Sequence, residues 1–126
     1  MHRHPNKRLL AVVSDLFFSV KIGDAAKRAG MHVEFVKDEA ALLEKAQASP
    51  AVIIFDLNMN GVQPLKMITK LKATPELKGI SLIGFVSHVQ GELKQQAHEA
   101  GCDIVMARSA FSQNLPQILK RHSGTL

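Results

Sequence analysis

The chain has no tryptophan, no tyrosine and one cysteine. Without Trp or Tyr it lacks the stacking rings that, interleaved with basic residues, grip single-stranded nucleic acid. Cys102 cannot form an internal disulfide and fits a reducing compartment. No apolar stretch approaches the roughly 18 to 20 residues of a membrane span, and the basic start, Met1 to Arg8, leads into only a short apolar segment. A soluble, cytoplasmic protein is therefore expected, with no membrane partner. The first apolar run is followed by Ser14-Asp15-Leu16-Phe17-Phe18. That turn has neither the glycines of a dinucleotide site nor a Ser/Thr/Gly-rich loop for a flavin phosphate. No Gly-x-Ser-x-Gly occurs, which excludes a nucleophile elbow.

What is present is an ordinary globular composition. The 126 residues are 46% hydrophobic and 21% charged, enough for one domain with a layered core and too few for a second. The net charge of +5 has a simple distribution. Arg3, Lys7, Arg8, Lys120 and Arg121 lie near the ends with no acids among them, and the other 11 Lys and Arg match the 11 Asp and Glu. The body is neutral, so nucleic acid is not an expected partner.

The organising stretch is Ala51-Val52-Ile53-Ile54-Phe55-Asp56, an apolar run that stops on a carboxylate. Bounded by Ser49-Pro50 and Asn60-Gly61, it reads as a strand buried on both faces. Leu9 to Val13, His32 to Val36, Ser81 to Val86 and Asp103 to Ala107 read as four more strands. Between them lie helical patterns. Phe18, Ile22, Ala25, Ala26 and Ala29 form one stripe, closed by Gly30. Ala40, Leu43 and Ala46, with Leu42 beside them, form a second, in a helix opened by Asp38-Glu39. A third helix starts at Pro64 and runs to Ala73; a fourth spans Gly91 to Ala100; the last, Phe111 to Arg121, buries Phe111, Leu115, Ile118 and Leu119. All six phenylalanines are expected in the core.

Strict alternation of five strands and five helices implies a parallel sheet covered on both sides, because parallel neighbours need crossovers and those are right-handed. The expected fold is a single three-layer α/β/α domain of the flavodoxin-like type, with strand order 2-1-3-4-5. It occupies residues 9–122, with tails at 1–8 and 123–126.

In that order the first and third strands are neighbours at the switch point, where ligands bind in open parallel sheets. The strand exits are Ser14-Asp15, Asp56, Ser87 and Arg108. Asp15 and Asp56 would face each other, and two close carboxylates call for a cation between them. Mg2+ suits such a site, built from carboxylates, a backbone carbonyl, water and a phosphoryl oxygen. A carboxylate nucleophile, a metal, a hydroxyl and a fixed cation are also what phosphoryl transfer requires.

With those residues in place, the chain resembles a stand-alone response-regulator receiver domain, similar to the chemotaxis regulators, from Leu9 to about Arg121. The resemblance makes Asp56, in Phe55-Asp56-Leu57-Asn58-Met59, the acceptor of a phosphoryl group from a histidine kinase or phosphotransfer protein. It implies Mg2+ bound weakly by Asp15, Asp56 and the backbone carbonyl of Asn58, with Ser87 and Arg108 contacting phosphate. The domain would then be a signalling module and not an enzyme in its own right, acting through a separate effector protein or through a homodimer formed by its fourth helix, fifth strand and fifth helix. Several positions depart from the family pattern. Ser14 replaces one metal-side acid, Arg108 replaces a lysine, and Ser109 replaces a cis-linked proline. His88 stands where a small residue is usual, Val105 where a Tyr or Phe transmits phosphorylation, and Asn60 and Pro64 alter the loop after Asp56. These departures leave a second expectation open, a phosphorylation-independent pseudo-receiver that serves as a protein-interaction module.

The remaining residue patterns carry less. His98 and Cys102 are four apart, but two ligands do not make a zinc site, and Cys102 reads as a small buried filler. His2 and His4 read as part of a frayed terminus.

Overall fold

A computed structural model describes residues 7–59, 61–87 and 91–122. The elements are β1 (Arg8–Val12), α1 (Leu16–Arg28), β2 (His32–Phe35), α2 (Glu39–Ala46), β3 (Val52–Asp56), α3 (Pro64–Ala73), β4 (Ser81–Val86), α4 (Gly91–Ala100), β5 (Ile104–Ala107) and α5 (Arg108–His122). The five strands form one parallel sheet in the order β2-β1-β3-β4-β5. This is the expected doubly wound order, with β1 and β3 adjacent at the switch point.

β3 is the spine. All five of its residues are buried, with β1 hydrogen-bonded on one side and β4 on the other. Because side chains alternate along a strand, its apolar residues divide between two cores. Val52 and Ile54 join α1 and α5 through Phe18, Ile22, Phe111 and Leu115. Ile53 and Phe55 join α2, α3 and α4 through Leu42, Met67, Leu71 and Ala97. The same alternation turns Asp56 toward the α1/α5 side, where its register partner on β4 is Phe85.

Local chemistry sets the helix ends. Asp15 caps α1, its Oδ1 accepting from the Phe18 amide at 3.0 Å, and Asp38 caps α2 by accepting from the Ala41 amide at 2.7 Å. Pro64 opens α3 as anticipated. Gly101 ends α4 with φ of +116°, a conformation that favours glycine.

Some expectations need correction. The buried stripe of α2 is Leu42 and Ala46, with Leu43 half-buried and Ala40 exposed. Leu42 and Leu43 are equal in size, so the choice between them is made by how the helix settles on the sheet. Phe17 is 67% exposed and Phe35 is 37% exposed, so neither is core. Phe17 is the second residue of a helix whose inward stripe begins at Phe18, and Phe35 ends an edge strand. The last helix begins at Arg108, three residues before the expected Phe111, while its buried side is the one expected. β1 runs from Arg8 to Val12, β2 stops at Phe35, and β5 starts at Ile104.

Candidate functional site

The site lies at the carboxyl ends of β1, β3, β4 and β5. Asp56 is the last residue of β3 and is only 5% exposed. Its Oδ1 accepts the Asn58 amide at 2.9 Å, which folds the following loop back over the strand end. Burial beside Phe85 pushes the Asp56 carboxyl above the usual carboxylate range, and the negative charge of Asp15 adds to that; the Asn58 hydrogen bond and the charge of Arg108 pull the other way.

The loop is fixed from both sides. The Leu57 amide donates to the Phe85 carbonyl at 3.0 Å. Its side chain lies over Gly84, where a Cβ would come within 2.8 Å of it, so β4 needs a residue without a side chain there. Asn58 Oδ1 accepts the Ser87 amide at 2.7 Å, tying the exit of β3 to the exit of β4. Nothing in the local pattern around Gly84 or Asn58 announces these contacts, since each depends on a strand far away in sequence.

Arg108 is the first residue of α5, directly after Ala107 of β5. Its guanidinium carbon is 5.0 Å from the centroid of the Phe18 ring and 5.9 Å from that of Phe85. Phe85 in turn stacks between Phe18, at 4.9 Å, and Phe111, at 4.6 Å. Phe18 and Phe111 are themselves only 6.2 Å apart, so Arg108 sits over a compact cluster of three rings. Its Nε is buried without a hydrogen-bond partner, and among the described residues Arg108 forms no ion pair.

A solvent-open cavity of about 540 Å3 lies against this arginine. It is lined by Asp15, Phe17, Phe18, Ser87, Arg108, Ser109 and Ser112. Four of the residues singled out from sequence, Asp15, Ser87, Arg108 and Ser109, therefore share one space; Asp56 does not line it but is close enough to feel the charges of Asp15 and Arg108. Ser14 is exposed. Val105 is buried on the opposite side of the sheet, among the residues that cover α3 and α4. His88 and Asn60 lie outside the described residues. All described peptide bonds are trans, including the one entering Ser109.

For a divalent cation the donor set is narrow. Asp15 Oδ1 caps α1 and Asp56 Oδ1 holds the loop, so an ion would be held through the second oxygen of each acid, with the Asn58 carbonyl as the backbone donor that the resemblance implies. Among the described residues no three His, Cys, Asp or Glu side chains come together. Two carboxylates and a carbonyl fit a hard cation that keeps several waters. Away from the site, the Cys102 thiol is pushed up to about 12 by burial and faces the carbonyls of Leu82 and Ile104, as a filler would. His98 is exposed, so the two residues do not converge on a zinc position.

Comparison with solved structures decides the architecture. The chemotaxis response regulator CheY4 of Vibrio cholerae matches with a TM-score of 0.78 at 23% identity, over 93% of this chain and 98% of that one. The chain has the fold of response-regulator receiver domains. The receiver fold also matches the phosphorylated cyanobacterial phytochrome response regulator RcpA, with a TM-score of 0.74 at 19% identity over 92% of this chain and 90% of that one. The Mn2+-bound form of response regulator Rcp1 matches with a TM-score of 0.70 at 18% identity, over 91% of this chain and 90% of that one. No family model and no curated protein sequence matches. Among the described residues of this receiver fold, no helix is long and apolar enough to cross a membrane.

Proposed function

We propose that the chain is a two-component receiver that accepts a phosphoryl group on Asp56 and signals through protein contacts. The observation that carries this reading is Arg108, a cation held without an ion-pair partner among the described residues at the strand end where Asp56 and Ser87 also emerge. The same strand ends carry the phosphoryl chemistry of the fold it shares.

The chemistry follows from the side chains. An ionised Asp56 oxygen attacks phosphorus; the new O–P bond forms as the bond to the donor's leaving group breaks, and that group departs with its electron pair. Ser87 donates its hydroxyl to one phosphoryl oxygen, and Arg108 balances the charge added beside the buried Asp56. A divalent cation bound by Asp15, Asp56 and the Asn58 carbonyl would neutralise equatorial oxygens. Mg2+ is the ion proposed, and with Ser14 in place of an acid it is held weakly. The donor is a histidine kinase or phosphotransfer protein, the output a separate effector or a homodimer through α4, β5 and α5, and the compartment the cytoplasm.

A second reading has its own support. Val105 offers no aromatic ring to rotate, and Asp15 already serves as the cap of α1. Both fit a pseudo-receiver that acts as an interaction module without phosphorylation. Incubation with Mg2+ and a small acyl phosphate, or with beryllofluoride, followed by intact mass or NMR, separates the two. A wild-type adduct that is lost in Asp56→Asn is the expected result. No adduct or shift at millimolar Mg2+ overturns it in favour of the interaction module.

A further inference from the structure

A second groove, about 410 Å3 in volume, lies between α1 and α5 and shares only Ser112 with the cavity at Arg108. Both helices follow strands of one parallel sheet, so they run side by side in the same direction. The lining extends from Lys21 to Ala29 on α1 and from Ser112 to Lys120 on α5. At the helical rise per residue, each stretch makes a groove about 12 Å long. Lys21 and Ser112 therefore stand at the end nearer the carboxyl edge of the sheet, and Arg28 and Lys120 at the other. Between them come Ala25, Leu115 and Pro116, all apolar.

Three cations thus line the groove against one carboxylate, Asp24. Asp24 is 3.3 Å from Arg28, but both side chains are largely exposed, and such a pair is readily exchanged for another partner. Arg28 and Lys120 lie in last helical turns, where they also offset the helix dipoles. Mid-helix Lys21 has no such role and forms no ion pair among the described residues. Pro116 is equally informative. It is exposed in the interior of α5 and has no amide hydrogen to give the Ser112 carbonyl four residues before it. The helix loses a hydrogen bond and the core gains no packing, so the ring's contribution is to the surface.

We propose that this groove binds an extended segment of a partner protein in which two acidic residues flank a short apolar stretch. About four extended residues cover the length of the groove. Acids at that spacing reach Lys21 at one end and Arg28 and Lys120 at the other, while the apolar residues between them cover Ala25 and Pro116. A nucleic acid suits the groove less well, because no aromatic ring lines it for a base to stack on. Binding here uses neither Asp56 nor a metal ion, so it stands or falls independently of phosphoryl transfer.

The test titrates the full chain with the acetylated, amidated pentapeptide Glu-Leu-Ala-Leu-Glu, following the amide shifts of Ala25, Ser112 and Lys120 by NMR. A saturable shift is expected, weakened about tenfold when serine replaces both leucines and about tenfold when glutamine replaces both glutamates. Lys21→Gln and Lys120→Gln are each expected to weaken binding about threefold, and Asp24→Asn to strengthen it about twofold. Lys94→Gln, at an exposed lysine on α4 across the sheet, should leave it unchanged. No saturable shift, equal binding of the serine or glutamine peptide, absence of a gain in Asp24→Asn, or the same loss in Lys94→Gln as in Lys120→Gln would overturn the proposal. Tighter binding of a short oligothymidylate at the same amides would also overturn it, making the groove a nucleic-acid site.

Discussion

The two faces of the sheet are built from different materials, and the site inherits the difference. On the α1/α5 face, Phe18, Phe85 and Phe111 form a cluster of mutually packed rings that lies under a guanidinium. On the α2/α3/α4 face the core is aliphatic, with methionines and Cys102 filling between Leu42, Ile68 and Leu71, and Phe55 as its one ring. Rings have flat faces that accept a cation, whereas aliphatic groups offer a charge nothing in return for lost water. The aromatic face can therefore hold Arg108 half-buried beside Asp56. The aliphatic face instead supplies rigidity, as where Leu57 fills the hollow over Gly84 and anchors the loop after the acid.

Truncating each face should separate these roles. Phe85→Ala is expected to cost about 3 to 5 kcal/mol and Leu71→Ala about 2 to 5 kcal/mol, measured by urea denaturation. The two should diverge at the site. Phe85→Ala admits water beside Asp56 and lowers its carboxyl toward the ordinary range in an NMR titration, while Leu71→Ala leaves that titration where it is. A matched shift in both variants would break the contrast.

The caps give a smaller version of the same comparison. Asp15→Ala and Asp38→Ala each remove a side-chain acceptor at a helix start and are each expected to cost about 1 kcal/mol. Asp15→Ala should also lower the carboxyl of Asp56 by removing a nearby negative charge, and should weaken any Mg2+-dependent shift. Asp38→Ala should do neither.

The smallest expected change concerns pH. Asp56 holds its proton more tightly in the folded chain than in the unfolded one, so its contribution to stability is greatest in acid and is lost as pH rises through the raised folded value. Without a metal ion, Asp56→Asn should therefore be more stable than wild type at neutral pH, and the gain should shrink as pH falls into the usual carboxylate range. A gain that stays constant with pH would show that charge burial is not its source.

Much of the architecture was legible because it rests on local patterns. The β3 run, the 3.6-residue stripe Phe18, Ile22 and Ala26, and the buried side of α5 each need only periodicity to be seen. Legibility failed where one helix face had to be chosen between near-equal options, as for Leu42 against Leu43, and where hydrophobic identity was taken for burial, as for Phe17 and Phe35. At the site, Asp15, Ser87 and Arg108 could be assembled in advance because polar residues ending buried strands must gather at one edge of a parallel sheet. Resemblance added a role for Asp56 that spacing alone does not supply.

The sequence by itself determined the alternation of strands and helices, a parallel sheet covered on both faces and the position of an acid at the end of a buried strand, because those follow from side-chain period and connection length. Only the tertiary structure decided that Arg108 rests on packed rings with no ion pair among the described residues, that Asp15 is used as a helix cap, and that Phe17 stands exposed beside a cavity. Each of these depends on distances between segments far apart in the chain. A side chain's partners there are set by how helices settle on the sheet, which no local pattern records.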